Sequence, residues 1–285
     1  LTRRAREALL GYALLVPSAI IFAWFFFYPL YRLFVMGLHQ QNRTGTAERW
    51  VGWSQFGDVL GGEQFREGVR ITGTYVLYTV PLGLVLGVLL AVAANRRLKG
   101  IKVFQTIFSS TIATSVAVAS VIFFVLLNPQ VGYFASVKMF SLSDPDTALR
   151  GVALSSVWQN LGLTFVIVLA GLQAVPDEVD EAATLDGYGP VRRFFRVTLP
   201  LISPTLMFLA VVLVIFALQA FAQADILTQG GPLGSTETLV WKIFNSQQPV
   251  DQGTGAVMAI GLFGITLVVS LAQFLILDRR VHYGN

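Results

Sequence analysis

The chain has 285 residues, of which 54% are apolar and 13% charged, against roughly 25% charged in a soluble globular domain. Cysteine is absent, which excludes disulfides, haem–thiolate ligation and zinc–thiolate sites. The formal charge of +4 is accounted for by membrane topology and lipid headgroups and calls for no nucleic-acid partner.

Six charge-free runs follow in chain order: Ala8–Tyr31, Ile71–Asn95, Val103–Val137, Gly151–Pro176, Val197–Ala224 and Gln252–Leu277. Each exceeds the about 20 residues needed to cross a hydrocarbon core. They predict six transmembrane helices in an all-α integral membrane fold, since backbone polar groups in lipid must be satisfied within each segment. The first run is preceded by Arg3, Arg4 and Arg6 but is too long for a signal-peptide core and has no small-residue cleavage site. It is expected to be a retained, lipid-facing helix, rich in aromatics from Phe22 to Tyr28 and kinked by Pro17 and Pro29. A polar outer loop, 39–67, follows it. The second run carries Gly83 and Gly87, a spacing that permits close helix contact.

Polar residues then recur inside the apolar runs. The third segment has Gln105, Ser109, Thr111, Thr114 and Ser115, and the fourth has Ser155, Ser156, Gln159, Asn160 and Thr164. In the fifth, Gln219 and Gln223 stand one helical turn apart. Ser109, Thr114, Gln159, Asn160, Gln219 and Gln223 are candidates to line a hydrophilic path; interhelical hydrogen bonds are the alternative. No ionised side chain falls at mid-depth, which argues against a proton relay, a sodium-coupled carboxylate site or a voltage sensor. Broken helices in repeated halves, the mark of many secondary transporters, are not evident either. Lys138, Arg150 and Lys242 are expected to be solvated charges of the outer loops.

Orientation follows from the basic residues. With both termini inside, Arg3, Arg4, Arg6, Arg96, Arg97, Lys99, Lys102, Arg192, Arg193, Arg196, Arg279 and Arg280 are cytoplasmic, 12 of the 20 Lys and Arg. This puts residues 174–200 in the cytoplasm. There Asp177 is expected to cap a short helix, with Asp180 in its acidic first turn. Gly187 is expected to stop it in the left-handed conformation. Pro190 then opens a second helix that Pro200 closes. The arginines at 192, 193 and 196 are read as topology anchors.

Enzymatic chemistry has little support. The two histidines, His39 and His282, are far apart in sequence. No HExxH, GxSxG or GxxxxGK[ST] motif occurs. Gly230-Gly-Pro232 reads as a turn.

The loop contains Glu181-Ala182-Ala183, three residues, Gly187, nine residues, Val197, one residue and Leu199-Pro200. This resembles the EAA loop of the membrane subunits of ABC importers, with Val197 where isoleucine is commoner. The resemblance implies a type I importer core over 68–277, preceded by residues 1–67 and followed by a cytoplasmic tail, 278–285. Leu127-Asn128-Pro129, Ala174-Val175-Pro176, Thr228-Gln-Gly-Gly-Pro232 and Thr236-Glu-Thr-Leu-Val240 look like the sugar branch of that family. Residues 186–195 and Arg280-Val-His-Tyr283 look most like permeases for sn-glycerol 3-phosphate and glycerophosphodiesters, with an oligosaccharide such as a disaccharide as the alternative substrate. The resemblance implies a coupling helix over about 178–186. Val179, Ala182, Ala183 and Asp186 would form a flat face toward an ATPase subunit, Glu178 and Glu181 would flank it, and Gly187, Leu199 and Pro200 would aim it. It also implies a second homologous permease, two ATPase subunits that bind the ATP and Mg²⁺, an extracytoplasmic solute-binding protein, and a multi-pass location in a bacterial inner membrane. No cofactor is expected in this chain.

Overall fold

The computed structural model of the chain describes residues 3–42, 48–95 and 98–278. Arg96, Arg97 and the tail after Asp278, with Arg279, Arg280, His282 and Tyr283, lie outside the described residues. Two compact units are distinguished: one joins Leu1–Arg66 with Ile243–Gly261, the other Glu67–Lys242 with Leu262–Asn285.

The first run is helical throughout, in three pieces: α1 (Arg3–Phe22), a π turn (Ala23–Phe27) and α2 (Tyr28–Gly37). Pro29 explains the π turn. Its ring would collide with the Phe25 carbonyl in a regular α-helix, so one extra residue enters the turn. The Tyr28 N–H then donates to the Ala23 carbonyl, five residues back. Pro17 lies inside α1 without interrupting it.

The polar segment 39–67 departs, in its described residues, from an all-α fold. It holds a two-stranded antiparallel hairpin, β1 (His39–Gln41) and β2 (Glu48–Trp50), with His39 opposite Trp50. The two rings meet edge-on at 5.0 Å. A short helix, α3 (Ser54–Leu60), follows. Within this unit a Cβ on Gly37 would touch Phe56 and Val257 at 3.2 Å, so α2 packs closely there.

Next along the chain, α4 (Glu63–Ala94) is one uninterrupted 32-residue helix. The third apolar run is not one continuous helix. It is α5 (Ile101–Ser109), a 3₁₀ turn (Ser110–Ala113) and α6 (Val116–Leu126), bent by 104°. The break has a local cause. Thr114 and Ser115 are extended, and the Ser115 hydroxyl caps α6 by accepting from the Val118 N–H at 3.3 Å. Next come α7 (Ala148–Gln173), α8 (Asp177–Leu185) and α9 (Pro190–Arg193). A second π turn (Phe194–Thr198) joins α9 to α10 (Leu199–Leu201). The geometry repeats that at Pro29: the Leu199 N–H donates to the Phe194 carbonyl immediately before Pro200. Pro200 therefore does not close the helix. The break comes at Ile202, where the chain bends by 69° into α11 (Ser203–Leu218). The remaining helices are α12 (Ala222–Thr228), α13 (Leu239–Asn245) and α14 (Gln252–Asp278).

Among the described residues, four helices are long and apolar enough to cross a membrane, and two bent pairs raise the number to six if each pair is one span. Two of the six expected transmembrane helices are therefore each a pair of helices joined at a bend.

Two apolar clusters form the core of the second unit. One gathers Tyr75, Phe123, Val152, Leu213 and Leu227; the other gathers Ala91, Phe165, Val168, Ile202 and Leu209. Because lipid tails are as apolar as these side chains, close packing rather than hydrophobic exclusion holds such helices together. Small residues supply it. A Cβ on Gly87 would fall 2.2 Å from Thr164 Cγ2, and one on Gly162 would fall 2.2 Å from Thr111 Oγ1. Gly83, expected to share the packing role, has nothing within 4 Å of its Cβ position.

Candidate functional site

A cavity of about 520 Å³ lies within the second unit. Its walls are Tyr75, Thr79 and Gly83 of α4, Ser156, Val157, Gln159 and Asn160 of α7, Leu213, Phe216 and Ala217 of α11, and the Gln219–Gln223 link into α12. Tyr75 and Ser156 are buried and hydrogen-bonded through their hydroxyls. The Thr79 hydroxyl donates to the Tyr75 carbonyl at 2.8 Å, and Asn160 Nδ2 donates to the Ser156 carbonyl at 3.0 Å. None of the lining residues is charged. The cavity thus offers amides and hydroxyls beside apolar walls that include Phe216 and Phe221.

Gln159, Asn160, Gln219 and Gln223 meet at this cavity, whereas Ser109 and Thr114 are not among its lining. Ser109 donates to the Thr106 carbonyl at 3.1 Å, and Thr114 sits in the break before α6. Other polar residues of the third run have structural roles. Thr111 abuts Gly162, and Gln105 Nε2 donates to the Ala94 carbonyl at 3.2 Å, joining α5 to the end of α4. Tyr75 and Thr79 are the cavity residues that sequence reasoning missed. Their spacing was a usable signal, because Thr72, Tyr75 and Thr79 recur at three and four residues along an apolar helix.

Beyond the cavity, residues 228–242 fold as a hydrogen-bonded knob. Thr228 and Thr236 bond through their hydroxyls at 2.6 Å, Thr238 Oγ1 donates to the Ala220 carbonyl at 3.0 Å, and the Leu239 N–H donates to Thr72 Oγ1 at 2.9 Å. Lys242 is not a solvated charge. It is 6% exposed, with Nζ 2.5 Å from Glu237 Oε2 and 3.6 Å from Glu67 Oε2. Removing one member of a buried ion pair strands the other, although these carboxylates keep some access to water. Lys242→Met is therefore expected to cost about 1–3 kcal/mol, at or below the usual range for a broken buried pair. A lower thermal unfolding midpoint of the detergent-solubilised protein than for Glu67→Gln checks this.

The EAA segment is the second feature. Helix α8 starts at Asp177, with Pro176 rather than Asp177 in the capping position. Asp177, Glu178 and Asp180 fill its first turn, where negative charge suits the helix dipole. Gly187 has φ +77°. The Gly187 N–H donates to Thr184 O at 3.1 Å and the Tyr188 N–H to Ala183 O at 3.0 Å, a Schellman ending. The expected flat face is divided. Ala183 is buried at 6% exposure and Val179 is half-buried, so that side faces this chain, while Ala182 and Asp186 are exposed. The outward side carries Glu178, Glu181, Ala182 and Leu185, the last 89% exposed. Val175 and Leu199, at the two ends of the module, pack against the Phe165–Leu209 cluster. Pro200 is half-buried beside Leu199. Arg193 is not a bare anchor: it pairs with Asp180 at 3.0 Å.

Broken apolar helices that wall an uncharged cavity, with the Glu181-Ala-Ala183 helix on the loop between α7 and α11, are the features of a permease subunit of an ABC importer. The chain belongs to the family described as binding-protein-dependent transport system inner membrane component, whose family model matches residues 83–283. It is 30% identical over 284 residues to the sn-glycerol-3-phosphate transport system permease protein UgpA of Agrobacterium fabrum, covering 97% of both chains. Its identity to UgpA of Yersinia enterocolitica is 32% over 282 residues, covering 96% of both. The fold matches a chain of a bacterial alginate ABC transporter, solved with an alginate pentasaccharide-bound periplasmic protein, with a TM-score of 0.83 at 21% identity, covering 98% of this chain and 97% of that one. The protein is accordingly an integral inner-membrane permease.

Proposed function

We propose that the chain forms one half of the translocation pathway of an importer for glycerol 3-phosphate or a glycerophosphodiester. The observation that carries this reading is the full-length similarity to the sn-glycerol-3-phosphate permeases. The chain crosses the membrane six times, each broken pair making one crossing, with both termini in the cytoplasm. A second homologous permease completes the pathway, a solute-binding protein delivers substrate from outside, and two ATPase subunits bind ATP and Mg²⁺. The ATPase grips the outward side of α8, through Glu178, Glu181, Ala182 and Leu185. Val179, Ala183, Asp186, Gly187, Leu199 and Pro200 hold that helix at its angle. ATP-driven closure biases a two-state equilibrium between inward- and outward-open forms. Substrate passes Tyr75, Gln159, Asn160, Gln219 and Gln223.

The charge-free lining of the cavity favours a second reading, a neutral oligosaccharide. Under the first reading, a phosphate must be neutralised by the partner permease or remain hydrated, since burying an unpaired anion is costly.

ATP hydrolysis by the complete importer in lipid, with its binding protein and a panel of solutes, separates the two. Stimulation by glycerol 3-phosphate or a glycerophosphodiester is expected. Stimulation by neutral sugars alone would leave an importer but remove the phosphate assignment. Because the chain lacks cysteine, a single cysteine at Leu185 also tests the coupling surface: it is expected to crosslink to a cysteine-bearing ATPase subunit, and labelling from outside the cell would invert the topology.

A further inference from the structure

We propose that Arg193 is the positioning residue of the coupling helix, clamping α8 to the base of the broken span that walls the cavity. The inference rests on the coupling reading of α8 given above. Its guanidinium reaches two points one helical turn apart: Nε lies 3.0 Å from Asp180 Oδ1, and Nη1 donates to Thr184 Oγ1 at 2.9 Å. The Thr184 hydroxyl in turn donates to the Asp180 carbonyl at 2.8 Å, so all three groups form one network. A planar fork with fixed donor directions constrains both the position and the rotation of the helix it holds, which a single ammonium does not do.

What lies on the other side of Arg193 gives the clamp its direction. Arg193 ends α9 and runs directly into the π turn and then Leu199, which packs against the Phe165–Leu209 cluster. Past the bend at Ile202, α11 carries Leu213, Phe216 and Ala217 to the cavity. Beside the packing of Val175 and Ala183, Arg193 thus gives displacement of α8 a side-chain link to the helix that forms a cavity wall. Without that side chain, α8 keeps its Schellman ending and the buried Ala183 but can swing about Gly187. The pair is half-exposed, at 30% and 52% for the two side chains, so it contributes little to folding and its loss is expected to appear as slippage rather than as unfolding.

The test uses the complete importer reconstituted in liposomes, reading both solute uptake and ATP hydrolysis. Arg193→Ala is expected to lower uptake per ATP about tenfold, the lower end of what loss of a hydrogen bond to a charged group gives, with hydrolysis within about twofold of the parent and the ATPase subunits still copurifying. Arg193→Lys should be intermediate. The double exchange Asp180→Arg with Arg193→Asp should recover much of what either single change loses. Unchanged uptake per ATP in Arg193→Ala, or loss of the ATPase subunits from it, would overturn the proposal; the latter would make Arg193 a docking contact. Leu185→Asp separates the two levels. If it leaves ATPase binding and coupling intact, the coupling reading itself fails. If it abolishes them while Arg193→Ala behaves as the parent, only the clamp fails.

Discussion

Gly187→Leu is expected to bring uptake below about a tenth of the parent while the protein reaches the membrane at normal levels. The reason is conformational. Gly187 holds φ +77°, and a Cβ placed there meets nothing within 4 Å, so the penalty is backbone strain and not collision. A left-handed conformation costs an L-residue about 1–2 kcal/mol. That is too small to unfold a domain stable by about 5–15 kcal/mol, but it is enough to favour another ending for α8. The bonds from Gly187 to Thr184 and from Tyr188 to Ala183 would be exchanged for others, and the helix would point elsewhere. Asparagine tolerates this region, so Gly187→Asn should keep most of the uptake. The check is radiolabelled uptake in cells with membrane content measured alongside. If Leu and Asn behave alike, the strain argument is wrong.

A pair of substitutions one helical turn apart in α4 should have opposite failures. Gly87→Leu should yield little folded protein, because even its Cβ would lie 2.2 Å from Thr164 Cγ2 and 2.8 Å from Thr164 Cβ. Overpacking of a filled core costs about 1–3 kcal/mol, and here the obstacle is a β-branched side chain on a packed helix. Gly83→Leu has open space at its Cβ and lines the cavity. It should fold and assemble normally and obstruct passage. Size-exclusion profiles in detergent give the first readout and uptake gives the second. Normal uptake by Gly83→Leu would mean that solute does not pass through this cavity.

Much of this was legible in the residues because membrane chains obey severe local rules. The apolar runs had to be helices, and Gly187 followed by Pro190 had to end one helix and open another. What failed to show was geometry set by two competing demands at once. Ser115 looked like part of a polar face; it caps a helix because the chain turns there, and nothing in its side chain distinguishes the two uses. Pro200 looked like a terminator, but a π turn absorbs it. Lys242 looked solvated because its partners, Glu67 and Glu237, are distant in sequence or on another element. The four amide-bearing cavity residues were visible because amides are conspicuous in apolar helices. Tyr75 and Thr79 were not, because hydroxyls in such helices usually bond to their own backbone, as Thr79 does. Ala183 is the plainest case. A small residue is compatible with close approach from either side, and the structure puts that approach on the chain's own side.

The two π turns carry a consequence for how faces are assigned along this chain. Each inserts one residue into a helix of 3.6 residues per turn, which offsets the angular phase on its two sides by about 100°. At Phe194–Thr198 this lies between Arg193, which must face α8, and Leu199, which must face the core. The insertion acts like a vernier: the heading of the clamp and the heading of the core anchor are set separately, although both belong to one run of helix.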